Sequence, residues 1–228
     1  MLISILLPTR KRFDLMIKSI ISLYENANDP SRIELLLKLD DDNYKEYIDR
    51  IDEIYKITQN VKIVISNRRK GYNSLHHFVN ELCGVSTGEF LLLWNDDATM
   101  ITNEWDNYVV EHSGEVCVLQ MDNNHFPDIF PLVHRKIYEV VGYFSLNPQN
   151  DTWIHFVAQM ADIEKDEFRI IAHHDRADIT GNNDDVVYRG GVGSPQKYSK
   201  GWELLHSQKQ ANLRAEDASK ILKYLYEM

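Results

Sequence analysis

The run Gly88-Glu89-Phe90-Leu91-Leu92-Leu93-Trp94-Asn95-Asp96-Asp97 joins an unbroken apolar stretch to a pair of acidic residues. An apolar run of this kind is typical of a strand that is buried on both faces of a parallel sheet. Comparable runs occur three more times in the first hundred residues, at 3–7, 33–39 and 61–65. Amphipathic helical patterns separate the runs, at 13–24, 44–57 and 72–83. This alternation predicts a mostly parallel α/β sheet with right-handed crossovers.

The second half of the chain is less regular than the first. Its patterns predict strands at 116–121, 129–133 and 168–172, and helices at 135–141, 151–160 and 208–226. The polar stretch at 175–200 holds four glycines, and a segment of this length and composition predicts a mobile or functional loop. The closing helix is amphipathic. We therefore expect a single domain that ends in a helix packed on the sheet.

Composition excludes several classes of protein. The 228 residues carry a formal charge of −10, which argues against nucleic acid as a partner, because binding to phosphate backbones needs a basic face. Cys83 and Cys117 are expected to be buried, reduced thiols, since no cysteine pair has zinc spacing. The apolar run at the N-terminus is too short to span a bilayer. We expect a soluble, cytoplasmic protein with no membrane span.

Charged residues follow all four predicted strands of the first half. The basic groups Arg10-Lys11-Arg12 and Arg68-Arg69-Lys70 follow the first and third strands, and Asp40-Asp41-Asp42 and Asn95-Asp96-Asp97 follow the second and fourth. Ligands of open α/β sheets bind beyond the carboxyl ends of the strands. A carboxylate pair there can hold Mg²⁺ or Mn²⁺, and arginines can neutralise phosphate charge. Together the four groups predict a site for a nucleoside diphosphate.

Each of these groups also has a simpler interpretation when it is taken alone. An aspartate cluster such as Asp40–Asp42 is typical of a helix N-cap, and the aspartates at 96 and 97 suit a turn followed by a cap. The basic run at 68–70 suits a solvated loop. The coincidence of all four groups at matching strand ends is what favours the ligand site.

The sequence resembles the inverting GT-A glycosyltransferases of family 2 over residues 2–160, most clearly between 3 and 99. The opening Ile3-Ser4-Ile5-Leu6-Leu7-Pro8-Thr9-Arg10 is similar to the first strand and nucleotide-contacting turn of that family. Residues 34–42 are similar to its second strand, and 71–97 to the stretch that leads into its DxD metal motif. The resemblance implies a GT-A (Rossmann-like) fold, with a mostly parallel central sheet, flanking helices and a C-terminal amphipathic helix.

The resemblance also implies roles for residues at the strand ends. Contacts with the nucleotide sugar are expected from Pro8, Thr9, Arg10, Asp40, Arg68, Gly71, Asn95 and Asp96. Asp40 is expected to contact the base, taken to be uracil, and Asp96 to contact sugar or ribose hydroxyls. Asn95 departs from the DxD pattern at its first position. Asp97 is the expected ligand of Mn²⁺ or Mg²⁺.

Later in the chain the resemblance implies a general base at the start of a helix, which falls on Asp151. It also implies a histidine metal ligand at a strand end, for which we favour His173, with His174 as the next choice; a solvated histidine is an equally good interpretation of either. Trp153, beside Asp151, is the favoured tryptophan for stacking on a sugar ring, although most tryptophans belong to a core.

The resemblance divides the single domain into three parts. Residues 1–100 are expected to bind the nucleotide, 101–175 to hold the acceptor and the base, and 176–228 to form a mobile loop and the C-terminal helix. Within the loop, Gly190-Gly191-Val192-Gly193 is predicted to be a lid over the donor, with a flexible connection as the alternative. Asp184-Asp185-Val186-Val187-Tyr188 resembles a tail motif of some family members.

The function that these expectations describe is that of a metal-dependent, inverting hexosyltransferase. It moves a sugar from a nucleotide-diphosphate sugar, expected to be a UDP-sugar, to a hydroxyl group of a saccharide or other acceptor. One alternative is a sugar-phosphate nucleotidyltransferase, which needs a glycine-rich loop after the first strand, whereas residues 8–12 contain no glycine. The other is a non-catalytic module that binds a nucleotide sugar, which Asn95 and Asn150 leave open.

Overall fold

An eight-stranded sheet forms the centre of the chain. The computed structural model describes residues 3–123, 129–175 and 201–228, and the motifs at 184–188 and 190–193 lie outside these ranges. The strands are β1 (Ile3–Thr9), β2 (Ile33–Asp40), β3 (Val61–Ser66), β4 (Phe90–Leu93), β5 (Ala98–Met100), β6 (Val118–Asn123), β7 (Leu132–His134) and β8 (Glu164–His174). Their order in the sheet is β3-β2-β1-β4-β7-β6-β8-β5. This mixed sheet with flanking helices and a C-terminal helix confirms the expected fold class.

Helices connect and cover the strands. They are α1 (Phe13–Glu25), α2 (Lys45–Asp49), α3 (Ile51–Tyr55), α4 (Leu75–Val85), α5 (Trp105–Val110), α6 (Arg135–Val141), α7 (Asn150–Met160) and α8 (Gln208–Glu227), and residues 201–205 are also helical. The prediction of one helix at 44–57 is wrong. Arg50 leaves the helical region, with φ −115° and ψ 16°, and so separates α2 from α3.

The strands β1, β2, β3 and β4 are parallel to one another and run in one direction. Their carboxyl ends therefore share one edge, which we call the carboxyl edge. Pro8 is tolerated in β1 because its nitrogen faces the β4 side, where pairing stops at Leu6 opposite Leu93. The third strand differs from expectation, because β3 is an edge strand and is mostly half-buried rather than buried on both faces.

The other four strands extend the sheet beyond β4 with mixed directions. β7 is antiparallel to both β4 and β6, whereas β8 is parallel to β6. It follows that β8 runs in the same direction as β4 and ends at the carboxyl edge. β5 is antiparallel to β8 and pairs Ala98 with His174. The turn between β4 and β5, which holds Asp96 and Asp97, consequently lies against the end of β8.

Apolar side chains cover both faces of the sheet. On one face α1 packs Phe13 and Ile20 against the strands, and on the other face α4, α7 and α8 contribute Val79, Trp153 and Ile221. Burying a large apolar side chain of this kind stabilises a fold by about 1.5–3 kcal/mol. The packed sheet therefore fixes the positions from which the loops at its edge begin. The two cysteines are buried and free, as expected. No helix in the described ranges has the length and apolar character needed to cross a membrane.

Candidate functional site

Residues from five strand ends meet at the carboxyl edge and form two charged groups. The first, which we call the β4-end cluster, consists of Asp96 and Asp97 with Thr9, Arg12 and His174 around them. The second, the β2-end cluster, consists of Asp40 and Asp42 with Arg10, Lys38 and Arg68. Both clusters include residues from the end of β1: Thr9 and Arg12 belong to the β4-end cluster, and Arg10 belongs to the β2-end cluster.

Asp96 is the most enclosed carboxylate of the β4-end cluster. Thr9 Oγ1 donates a hydrogen bond of 2.7 Å to Asp96 Oδ2, and Arg12 Nη1 donates one of 2.8 Å to Asp96 Oδ1. Tyr47 lies 3.2 Å from Thr9 Oγ1 on its other side. Burial raises the pKa of Asp96 to about 6, against the opposing effect of the Arg12 charge. Thr9 and Arg12 therefore fix the orientation of this carboxylate.

Asp97 is held between a guanidinium and an imidazole. Arg12 Nη1 lies 3.1 Å from Asp97 Oδ2, and His174 Nε2 lies 3.0 Å from Asp97 Oδ1. Burial raises the pKa of Asp97, but the hydrogen bond and charge of His174, together with the Arg12 charge, outweigh burial and lower the pKa below its usual value. Asp97 is thus kept as a carboxylate, which is the form that binds a cation.

The structure brings His174, and not His173, to Asp97. Successive side chains of a strand point to opposite faces, so only one of two adjacent histidines can face the β4–β5 turn. His174 is buried and lies 3.1 Å from Asn95 Nδ2 as well as beside Asp97, whereas His173 is exposed. The placement expected for His173 is therefore corrected to His174, the second choice of the sequence interpretation.

Asp97 and His174 fit two neighbouring ligand positions around one divalent cation. Asp97 Oδ1 and His174 Nε2 are 3.0 Å apart. Two adjacent ligands at about 2.1 Å from an octahedrally coordinated ion lie about 3 Å apart. Transition metals accept imidazole nitrogen as well as carboxylate oxygen, whereas Mg²⁺ prefers oxygen alone. The pair of donors therefore fits Mn²⁺ better than Mg²⁺.

The β2-end cluster differs because cations already surround its carboxylates. Arg10 Nη1 donates a hydrogen bond of 2.9 Å to Asp40, and Arg10 also forms an ion pair with Asp42. Lys38 pairs with Asp40 from a buried position and lies 3.5 Å from the centre of the Phe78 ring. The hydrogen bond with Asp42 raises the pKa of Arg10. Asp40 lies at the expected place, with two cations on its carboxylate.

The remaining predicted nucleotide contacts lie on the loop after β3. Arg68 is half-exposed, with Nη1 3.9 Å from Asp42, and its backbone N–H lies 3.3 Å from Asp41 Oδ1. Gly71 has φ +59°, a left-handed conformation that side chains other than glycine adopt at a cost. These contacts join the β3 loop to the β2-end cluster. They do not bring Arg68 to Asp96 or Asp97 through any contact among the described residues.

Asp151 lies in the first turn of α7, as predicted, and its Oδ1 accepts a hydrogen bond of 2.9 Å from the Thr152 backbone N–H. The end of α7 adjoins the start of β8, since the Ile163 N–H binds Ala158 O and His155 contacts Glu164. A helix of this length rises about 16 Å, so its first turn lies toward the carboxyl edge, where β8 ends.

Three of the four tryptophans belong to the core, which is the more common role expected from the sequence. Trp153, the favoured candidate for stacking on a sugar, is 1% exposed and belongs to the core, and Trp94 and Trp105 are fully buried. Trp202 is 41% exposed. Because a buried ring has no free face for a sugar, Trp153 is a core residue and not the stacking residue.

Sequence reasoning did not assign a role to Arg12, although the structure places it between the two aspartates of the β4-end cluster. The signal was present, because Arg12 belongs to the basic run that follows β1. The preference for His173 over His174 had no such signal in its favour. Which of two adjacent histidines faces a site depends on the register between β5 and β8, and β5 is a three-residue strand.

No protein-family model matches the sequence, and no curated protein matches it. Among solved structures, TarS 1–349 of S. aureus matches over 100% of this chain and 72% of its own, with a TM-score of 0.61 and 13% identity. TarS 1–349 in complex with UDP-GlcNAc matches with a TM-score of 0.62 and 15% identity, covering 100% of this chain and 73% of its own.

The mannosyltransferase PcManGT from Pyrobaculum calidifontis, in complex with GDP-Man and Mn²⁺, is also similar. It matches over 99% of this chain and 75% of its own, with a TM-score of 0.65 and 11% identity. Sequence identities at this level establish similarity of fold. The chain has a GT-A-like glycosyltransferase fold.

Proposed function

We propose that this protein is a metal-dependent, inverting glycosyltransferase that moves a hexose from a nucleotide-diphosphate sugar to an acceptor hydroxyl. The observation that carries the proposal is the β4-end cluster, in which the buried Asp96, the largely buried Asp97, an arginine and a histidine meet at the carboxyl edge of a GT-A-like fold. In this proposal residues 1–100 bind the donor and residues 101–175 hold the acceptor and the base.

The donor site is formed by the strand ends. Pro8, Thr9 and Arg10 at the end of β1, Asp40 after β2 and the loop at 68–71 surround the nucleotide. TarS 1–349 has been solved with UDP and with UDP-GlcNAc, and PcManGT with GDP-Man, which supports a nucleotide-sugar donor for this fold. We propose a UDP-sugar, with Asp40 accepting a hydrogen bond from the base.

Asp97 and His174 would hold a divalent cation, which on binding supplies positive charge to the departing diphosphate. We propose that Asp96, whose two carboxylate oxygens are held by Thr9 and Arg12, accepts a hydrogen bond from a sugar or ribose hydroxyl. Arg12 is a better candidate than Arg10 for a contact with the diphosphate, because it lies beside the proposed metal ligands. Each arginine is held by two carboxylates, Arg12 by Asp96 and Asp97 and Arg10 by Asp40 and Asp42, so position beside the metal ligands is what favours Arg12.

Asp151 is the proposed general base. Inversion needs one base on the acceptor side, because the acceptor hydroxyl attacks the anomeric carbon from the face opposite the leaving diphosphate. As the new C–O bond forms, the hydroxyl proton passes to an Asp151 carboxylate oxygen, and the bond to the diphosphate breaks. No covalent intermediate with the protein is required.

A donor screen tests the proposal. Purified protein is incubated with a panel of UDP- and GDP-sugars and with Mn²⁺, Mg²⁺ or EDTA, and release of the nucleoside diphosphate is followed. We expect turnover of one donor class that EDTA abolishes and Mn²⁺ restores better than Mg²⁺. The Asp97→Asn variant should lose this turnover. Asp166→Asn, an exposed aspartate near the start of β8, is the matched control and should retain it.

The two alternatives give different results when the screen also includes nucleoside triphosphates with sugar 1-phosphates, and a measurement of UDP binding. A nucleotidyltransferase would release pyrophosphate from a nucleoside triphosphate and a sugar 1-phosphate. A binding module would bind UDP without turning over any donor. Either result would overturn the proposed glycosyl transfer.

A further inference from the structure

Residues 201–206, of which 201–205 are helical, lie against the loop that leads into α7; we call them the 201–206 segment. The Gly201 carbonyl accepts a hydrogen bond of 3.4 Å from Asn147 Nδ2. The position that a side-chain Cβ would occupy at Gly201 is 3.8 Å from Gln149 Nε2. Gln149 is two residues before Asp151. The 201–206 segment therefore begins beside the residues that lead into the first turn of α7.

Helix α8 holds the 201–206 segment in this position. Asn147 Nδ2 also donates a 2.7 Å hydrogen bond to Gln210 Oε1 of α8. At the other end of the segment, the buried Arg214 donates a 2.7 Å hydrogen bond to the Leu205 carbonyl, and its guanidinium lies 5.4 Å from the Trp153 ring centre. An arginine at a helix C-terminus that also stacks on an aromatic ring holds both elements in one arrangement.

This fixed segment carries an aromatic side chain that the core does not use. Trp202 is 41% exposed, whereas the other three tryptophans are at most 1% exposed. The His206 ring packs edge-on against Trp202 with 4.6 Å between ring centres. The segment that carries Trp202 is held in place by α8. The exposed part of the Trp202 ring is therefore an apolar surface in a fixed position, which a ligand can cover.

A second observation near the same place points to a ligand. Gln149 Nε2 and Asn150 Oδ1 are buried and have no hydrogen-bond partner among the described residues, and the two side chains are 5% and 1% exposed. Buried polar atoms in native proteins are nearly always paired with protein groups, water or a ligand. These two residues directly precede Asp151 in the chain.

We propose that Trp202, together with Gln149 and Asn150, forms the acceptor subsite and that the ring bound there is a saccharide. A sugar ring has an apolar C–H face that stacks on an indole and hydroxyls that pair with amides. The assignment to the acceptor, rather than the donor, rests on the proposed function, in which Asp151 takes the acceptor proton. Arg214 is a positioning residue that keeps the Trp202 segment on α7.

The first test is a binding experiment that requires no turnover. Because the other tryptophans are buried, iodide quenches the fluorescence of Trp202 selectively in the folded protein, and the Trp202→Leu variant removes that component. The probes are cellobiose, lactose, maltose and chitobiose. We expect at least one disaccharide to reduce the iodide quenching constant about twofold or more. Quenching that is unchanged by all four at 100 mM would overturn the proposed subsite.

The second test separates acceptor binding from donor binding. Trp202→Leu should raise the acceptor KM about tenfold, the size expected for one lost stacking contact, and Trp202→Phe should recover most of it. Slow hydrolysis of the donor by water should not change. Phe168→Leu, an exposed aromatic on β8, is the matched control and should leave the acceptor KM unchanged. An unchanged acceptor KM in Trp202→Leu, or an equal rise in the donor KM, would overturn the assignment.

The two tests distinguish failure of the subsite from failure of the proposed function. If no donor is turned over but a disaccharide still shields Trp202 from iodide, the proposed transfer fails and the saccharide site stands. If a donor is turned over but neither shielding nor a change in acceptor KM occurs, the subsite fails and the transfer stands.

Discussion

The β2-end and β4-end clusters lie on the same edge of one sheet, and both combine aspartates with an arginine from the end of β1. They differ in what completes them. Arg10, Lys38 and Arg68 surround the carboxylates of the β2-end cluster, so its negative charge is balanced by fixed cations. In the β4-end cluster, Asp97 has a histidine beside it, and a neutral imidazole is a metal ligand. We therefore propose that the neighbours of a carboxylate pair decide whether it binds a metal, even when sequence and position are similar.

The largest difference is expected from exchanging one aspartate in each cluster for asparagine. Asp97→Asn should lower the rate of glycosyl transfer about 1000-fold, because it removes about 4 kcal/mol of transition-state stabilisation with the metal ligand. Asp42→Asn should lower the rate by about threefold or less, since Arg10 keeps Asp40 as a partner. The measurement is kcat with saturating donor and Mn²⁺. Similar losses of kcat in the two variants would contradict the proposal that only the β4-end cluster binds the metal.

The arginines provide the next test, through stability. Arg12→Gln leaves Asp96 buried without its cation and should lower the free energy of unfolding by about 3 kcal/mol. Arg10→Gln should cost about 1 kcal/mol, because Lys38 still neutralises Asp40. Urea unfolding at pH 7.5 measures both. The double variant Arg12→Gln, Asp96→Asn should recover most of the lost stability, and no recovery would contradict the pairing.

The adjacent histidines at the end of β8 sharpen the comparison further. His174→Gln should weaken Mn²⁺ binding about 10- to 100-fold, because it removes one of the two proposed protein ligands. His173→Gln, the matched control one residue away, should bind Mn²⁺ like the wild type because His173 is exposed. Isothermal titration with Mn²⁺ in the presence of UDP gives both affinities. Weaker Mn²⁺ binding in His173→Gln than in His174→Gln would indicate that His173, and not His174, is the metal ligand.

The smallest effect expected is a pH dependence of stability that arises from His76, a half-buried histidine of α4. Burial, and to a smaller extent the charges of His77 and Arg69, lower the pKa of His76 to about 4. Since the unfolded pKa is about 6.5, this contribution to stability is complete above pH 6.5 and is lost as the pH falls toward 4. Allowing for partial exposure, His76→Gln should remove about 1 kcal/mol of the stability difference between pH 7 and pH 5. His173→Gln is the control, and equal pH profiles for wild type and His76→Gln would contradict the assignment.

The parallel half of the fold could be predicted from the sequence because its strands are continuous apolar runs separated by amphipathic helices. β1, β2 and β4 are buried along almost their whole length. The mixed half could not be predicted in the same detail. β8 extends over 11 residues where only 168–172 was predicted, because its alternating exposed and buried residues do not form an apolar run. The three residues of β5 are too few for any pattern.

The candidate site was predictable to the same degree as the strands that form it. Thr9, Asp40, Asp96 and Asp97 lie at the carboxyl edge because each follows a strand whose direction was predicted. The role of Arg12 and the choice of His174 depend on contacts between residues more than 75 positions apart in the chain. The exposure of Trp202 and the burial of Trp153 depend on how α8 packs on α7. Local patterns carry no information on these contacts.

The central claim is that the β4-end cluster, and not the β2-end cluster, binds the divalent cation. Titration of Mn²⁺ followed by electron paramagnetic resonance, with UDP present, tests it directly in the wild type, Asp97→Asn and Asp42→Asn. The account predicts that Asp97→Asn weakens Mn²⁺ binding about 100-fold and that Asp42→Asn changes it by less than about twofold. Strong Mn²⁺ binding in Asp97→Asn, or its loss in Asp42→Asn, would contradict the account.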